Sequence, residues 1–238
     1  MTKKKALNLL YTAAPNIDVE LARQSDPFQQ WLQKVDRRRF KLRGIHFQSV
    51  DTRPDGKVLF VKFVCDCVRK NGEKIHGITF ARGGAVAILL VLNCKGKKYA
   101  VLTKQARLPT GKYQFVEVPA GMLDGSGDFA GVAAREIEEE LGIKINASEL
   151  IDLTEMAGQK SGFFLSPGVC EETVRLFYKE LDVTPAEMKA MEGRLGGLAE
   201  EHEVITLAIE PLEKLWRVPD AKTMLAYLLY QKLIAAPA

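Results

Sequence analysis

Residues 121–143, GMLDGSGDFAGVAAREIEEELGI, decide how the rest of the chain is read. Ala133, Ile137 and Leu141 recur at intervals of four, with Phe129 one step before them, and so make one apolar helix face. Asp128 suits an N-cap and Gly142 a C-terminal stop. Glu136, Glu139 and Glu140 fall on one side of the last turn. Like charges at that spacing repel by about 0.2–0.5 kcal/mol per pair, and the C-terminal end of a helix already carries partial negative charge. An acidic run is ordinarily a solvated face. This one sits where a helix built for stability alone would place Lys or Arg, and a hard divalent ion with oxygen ligands offsets the cost.

With its flanks, the stretch resembles the Nudix box, G-x5-E-x7-R-E-U-x-E-E-x-G-U with U apolar. Gly121, Arg135, Glu136, Ile137, Glu139, Glu140, Gly142 and Ile143 stand at the spacing of that pattern. One position departs: the first Glu falls on Gly127, with Asp128 beside it, which bears on loop geometry more than on metal binding. Further matches are Gln105-Ala106-Arg107, Glu117-Val118-Pro119-Ala120-Gly121 and Ser166-Pro167-Gly168, with AGMLD at 120–124 and LWRVPDAKTML at 215–225. These are similar to the ADP-sugar and ADP-ribose pyrophosphatase branch, above all to the plant-type ADP-sugar pyrophosphatases.

The resemblance implies an α+β Nudix fold, a mixed sheet sandwiched between helices, with an N-terminal antiparallel β-meander. It implies Mg2+ or Mn2+ held by Glu136, Glu139, Glu140 and the Ala120 carbonyl, and substrate contacts from Arg107, Arg82, Gly121 and Leu123. Arg135 would brace the loop. Glu172 would assist water activation; Glu171 is adjacent and leaves the register open by one, and Glu139 is the other candidate base. Glu117 reads equally as a structural ion-pair partner for an arginine. A homodimer that exchanges its N-terminal sheet is also implied.

The remaining composition is consistent with a compact enzyme. The chain has 238 residues, enough for one large domain or a catalytic domain with a smaller attachment, and 47% of them are apolar. A net charge of +4, with short basic runs at 3–5 and 37–39, gives no nucleic-acid footprint. No apolar run reaches the roughly 18 residues that span a bilayer. Cys65, Cys67, Cys94 and Cys170 lack zinc-site spacing and read as reduced thiols. The expected compartment is the cytoplasm, with organelle import left open. His46, His76 and His202 are scattered, and no order of residues supports a covalent nucleophile.

In chain order, residues 1–25 have no clean period and are expected to wrap the surface. A helix starts at Pro27, and strands cover 40–51, 57–69 and 73–80. Residues 1–81 are read as an N-terminal dimerisation unit and 82–238 as the catalytic domain. Within the latter, strands are expected over 85–92, 98–105, 113–118, 149–156, 172–178 and 202–209. Helices are expected over 184–192, 211–216 and 220–234, the last with Met224, Leu225, Leu228, Leu229 and Leu233 as its apolar face. The expected activity is metal-dependent hydrolysis of the diphosphate bond in a nucleoside diphosphate sugar of the ADP-ribose or ADP-glucose type. The alternatives are a UDP-glucose or dinucleotide pyrophosphatase, and a catalytically silent nucleotide sensor.

Overall fold

The computed structural model describes residues 9–75, 77–123, 128–196 and 204–235. The lysines at 3–5, His76, Gly127 and His202 therefore lie outside the described residues. The chain divides into two compact units, residues 1–83 with 166–172, and residues 84–165 with 173–238. The segment 166–172, placed by the sequence in the catalytic domain, belongs with the first unit. Phe80 N donates to Val169 O at 2.8 Å and Glu171 N to Phe80 O at 3.4 Å.

The first unit contains β1 (Leu10–Ala13), α1 (Val19–Gln24), α2 (Asp26–Lys34), β2 (Lys41–Thr52), β3 (Val58–Val68), β4 (Lys74–Ile75) and β5 (Ile78–Ala81). Residues 10–24 are thus more ordered than a surface wrap: β1 pairs parallel with β2, and Asp18 caps α1 by accepting from Glu20 N and Leu21 N. Helix α2 begins at Asp26, one residue before Pro27. The third expected strand is two, β4 and β5, both paired with β3. Ile45, Phe47, Val61 and Phe63 pack on Ala22, Phe28 and Leu32 of the two helices. Phe28 meets Phe47 and Phe63 edge-on, with ring centroids 5.1 and 5.2 Å apart.

The second unit contains β6 (Ala85–Cys94), β7 (Lys97–Arg107), β8 (Lys112–Glu117), β9 (Ala120–Met122), α3 (Phe129–Leu141), β10 (Ile151–Asp152), α4 (Leu153–Met156), β11 (Phe163–Phe164), β12 (Thr173–Asp182), α5 (Pro185–Met191), β13 (Leu195–Gly196), β14 (Ile205–Pro211) and α6 (Ala221–Leu233). Its sheet runs β10-β12-β6-β7-β14-β13, with β11 on β12, β8 on β7 and β9 on β6. Within this sheet, only the β12–β6 pairing is parallel among the described strands. Strand β6 is apolar on both faces because both are covered. Ala85, Ala87, Leu89 and Val91 join the core of Leu153 and α6; Val86, Ile88, Leu90 and Leu92 join the core of α3. The result is a mixed sheet between helices.

Three expectations change here. The strand at 149–156 shrinks to two residues, because Asp152 accepts from Glu155 N at 2.8 Å and starts α4 instead. Residues 212–217 form a 3-10 helix. Helix α6 buries Thr223, Ala226, Leu229 and Tyr230, leaving Met224 and Leu228 about half exposed. Its residues are apolar nearly all round, so periodicity does not choose a face. Its rotation is fixed by Thr223, whose hydroxyl accepts from Val118 N at 3.0 Å. Among the described residues, no helix is long and apolar enough to cross a membrane.

Candidate active site

Helix α3 carries the acidic turn. Asp128 caps its start by accepting from Gly131 N at 2.9 Å, and Gly142, at φ 60°, ends it with its N–H donated to Glu138 O at 2.9 Å. Val132, Ala133, Ile137 and Leu141 are buried and fasten the helix to the sheet. On the other side, Glu140 is buried, Glu136 is half-buried, and Arg135 and Glu139 are exposed. The loop that Arg135 is expected to brace, 124–127, lies outside the described residues.

The Glu136 carboxylate is seated on Gly121. Its atoms occupy the space that a Cβ at position 121 would fill. Gly121 follows Ala120 on β9, and the two pair with Val86 and Ala87 of β6. The sheet thus brings the Ala120–Gly121 backbone to the first carboxylate of the acidic turn. Among the described residues, no three Asp, Glu, His or Cys side chains are gathered as a finished metal cage. The donors present still suit a hard divalent cation, because all are oxygens and one of the carboxylates, Glu140, is buried at the negative end of a helix.

A cation not foreseen from the sequence stands at this helix end. A Cβ on Gly142 would lie 3.0 Å from Nη2 of Arg194, so that guanidinium flanks the C-terminus of α3. It opposes the helix dipole and part of the acidic repulsion. Arg194 follows α5 in an unremarkable turn, and no local pattern marks it.

Arg107, at the end of β7, donates from Nε to Glu117 Oε1 at 2.6 Å. Glu117 is only 2% exposed and also accepts from Lys222 Nζ at 2.8 Å. Lys222 and Asp220, which pair at 2.9 Å, were quoted above only as part of the run at 215–225. Leu123, expected at the substrate, packs its side chain over Gly84, where a Cβ would lie 2.8 Å from its Cδ1.

In the first unit, Glu171 and Glu172 have different surroundings. Glu171 is buried, accepts from Arg82 N at 3.0 Å and Gly83 N at 2.5 Å, and lies 3.5 Å from Lys34 Nζ. Glu172 is half-buried and pairs with Arg82 Nη1 at 3.3 Å. The Arg82 guanidinium lies 5.7 Å from the centroid of Phe60. All four cysteines are free. Burial, followed by the neighbouring Cys67, pushes the Cys65 thiol up to about 12, so it is inert at neutral pH.

The seat of Glu136 gives a test that removes no carboxylate. Gly121 is not at positive φ, so Ala is acceptable to the backbone. Gly121→Ala is expected to displace the carboxylate and lower turnover about 10–100-fold, as loss of a ligand-orienting group does. A thermal melt within a few degrees of wild type together with unchanged turnover would show that the seat does not matter.

A family model described as the NUDIX domain matches residues 81–228. The chain is 38% identical over 226 residues to "Nudix hydrolase 14, chloroplastic" of Arabidopsis thaliana, covering 90% of this chain and 72% of that one. It is 33% identical over 175 residues to an ADP-ribose pyrophosphatase of Bacillus subtilis, covering 72% and 84%. A crystal structure of an ADP compounds hydrolase superposes with a TM-score of 0.58 at 17% identity, over 83% of this chain and 95% of that one, and shares the fold. With a matching domain over more than half its length, an acidic helix end seated on Gly121 and these relatives, the chain belongs to the Nudix hydrolase family.

Proposed function

We propose that the protein hydrolyses the diphosphate bond of a nucleoside diphosphate sugar of the ADP-ribose or ADP-glucose type, with Mg2+ or Mn2+ as cofactor. The observation that carries this reading is the Glu136 carboxylate seated on Gly121, beside Ala120 and one turn before the buried Glu140. The names of the relatives support the substrate class. Glu136, Glu140, Glu139 and the Ala120 carbonyl would hold the ion. When bound, a divalent ion neutralises diphosphate charge and makes water a stronger nucleophile.

The side chains supply the rest. Arg107 meets diphosphate oxygens with the guanidinium nitrogens that Glu117 leaves open. A carboxylate, Glu172 or else Glu139, takes the proton from the attacking water. Water adds across the P–O–P link, giving a nucleoside monophosphate and a sugar phosphate. The test is a panel of ADP-ribose, ADP-glucose, UDP-glucose and a dinucleotide, each with Mg2+ and with chelator. Release of AMP from an ADP-sugar only with the ion is expected. Binding without release from any compound would replace the enzyme by a sensor.

We also propose a homodimer built through the first unit. Helices α1 and α2 cover one face of its sheet. The other face leaves Ile78 exposed and Phe60 and Val64 half-buried, which suits a partner copy. Light scattering on dilute protein is expected to give twice the chain mass of 26.5 kDa. A fully active species at the chain mass itself would remove the dimer.

A further inference from the structure

The ion-pair network under Arg107 contains a lysine in an unfavourable place. Lys222 is the second residue of α6, where the positive end of the helix dipole disfavours a cation. Its side chain is only 16% exposed. Burial works to lower its pKa, but Glu117 and Asp220 outweigh burial and hold it above the ordinary lysine value, so it is charged at neutral pH. The second unit therefore maintains a buried ammonium that neither helix propensity nor packing asks for.

What the ammonium does follows from the atoms it engages. Lys222 Nζ takes Glu117 Oε2 at 2.8 Å, while Arg107 Nε takes Oε1 at 2.6 Å. Arg107 is thus anchored by one nitrogen, and its two Nη groups make no hydrogen bond among the described residues. A carboxylate and a guanidinium left to themselves prefer the two-pronged pairing, which would consume an Nη as well. Here Lys222 holds the second oxygen and Nε alone meets the first. It is itself fixed by Asp220 Oδ1 at 2.9 Å; the other Asp220 oxygen accepts from Thr223 N at 2.9 Å and Thr223 Oγ1 at 2.7 Å. Thr223 Oγ1 accepts from Val118 N at 3.0 Å. The same network therefore pins the backbone between Glu117 and the Ala120–Gly121 segment.

We propose that Lys222 is a positioning residue for diphosphate capture: by occupying one oxygen of Glu117, it keeps the terminal nitrogens of Arg107 available to substrate. This rests on the hydrolase reading above. Lys222→Met should let Glu117 close on Arg107 in a two-pronged pair. KM for ADP-ribose is then expected to rise about tenfold or more, the size of one lost charge-assisted hydrogen bond, with kcat changed much less. Lys222→Arg, which can still hold Oε2, should recover most of the affinity. In an Arg107→Ala background, Lys222→Met should add little, because the group it positions is gone.

Calorimetric binding of the non-hydrolysable methylene-bridged analogue of ADP-ribose gives a readout independent of turnover and should follow the same ranking. A merely structural lysine would lower the melting temperature and leave KM and analogue affinity of the folded protein unchanged, which overturns the proposal. If Lys222→Met does not fold, Lys222→Leu carries the same comparison, since it too removes the ammonium and offers Glu117 no donor. Wild-type protein that binds no analogue and cleaves neither ADP-ribose nor ADP-glucose would instead overturn the hydrolase reading, so the two failures are distinct.

Discussion

Glu140→Gln is expected to reduce turnover at saturating Mg2+ by at least about 100-fold, while the protein without metal melts no lower than wild type. The floor comes from residues that only orient metal ligands, whose loss already costs about 10–100-fold. The side chain is buried at the negative end of α3 with Glu136 one turn away. Both the helix dipole and burial disfavour an anion there. Replacing the carboxylate by an amide of the same shape removes a donor that a hard cation needs and relieves the fold of a charge. Activity and stability should therefore move in opposite directions, or activity alone should move. Near wild-type turnover would refute the metal assignment.

Glu172→Gln should lower kcat by about 10²–10⁴-fold with little change in KM, the range for a lost general base. Glu171→Gln should instead act on stability. Glu171 accepts two backbone N–H groups, from Arg82 and Gly83, and faces Lys34. Hydrogen bonds to charged groups contribute about 1.5–3 kcal/mol, and each kcal/mol shifts the melting temperature of a chain this size by about 2–4 °C. The surroundings of the two carboxylates thus separate a loop anchor from a group whose partner is another side chain, Arg82. Steady-state kinetics and thermal melts of the two variants decide it. The reverse ranking would move the catalytic role to Glu171.

Helix α3 was legible in the sequence because everything that makes it is local: a capping Asp128, an apolar face of period four and a glycine at its end. Strand β6 was legible for a similar reason, since an apolar run with no polar face has to be covered on both sides. The face of α6 was not, because Met224 and Leu228 are as apolar as Leu229, and the choice was made by one hydrogen bond from Val118, 105 residues away. The lysine that shares Glu117 with Arg107 was hidden in the same way. Glu117 meets Lys222 across 105 residues, and an ion pair of that span leaves no spacing to read. Asp152 misled for a different reason: a polar residue in an alternating run looks like the solvent side of a strand until it accepts the amide of Glu155.

The ends of α3 have a consequence for how the protein responds to its surroundings. Asp128 and Gly142 close the helix, Arg194 flanks its acidic end, and Ile137 and Leu141 tie it to the sheet, all of them contacts made within the chain. Small zinc domains, by contrast, acquire their fold from the metal. On the function proposed above, a divalent ion would be a visitor to a finished scaffold. Chelation is then expected to idle the molecule without dismantling it, and the supply of free divalent cation would act as a throttle that can be opened again with no refolding in between.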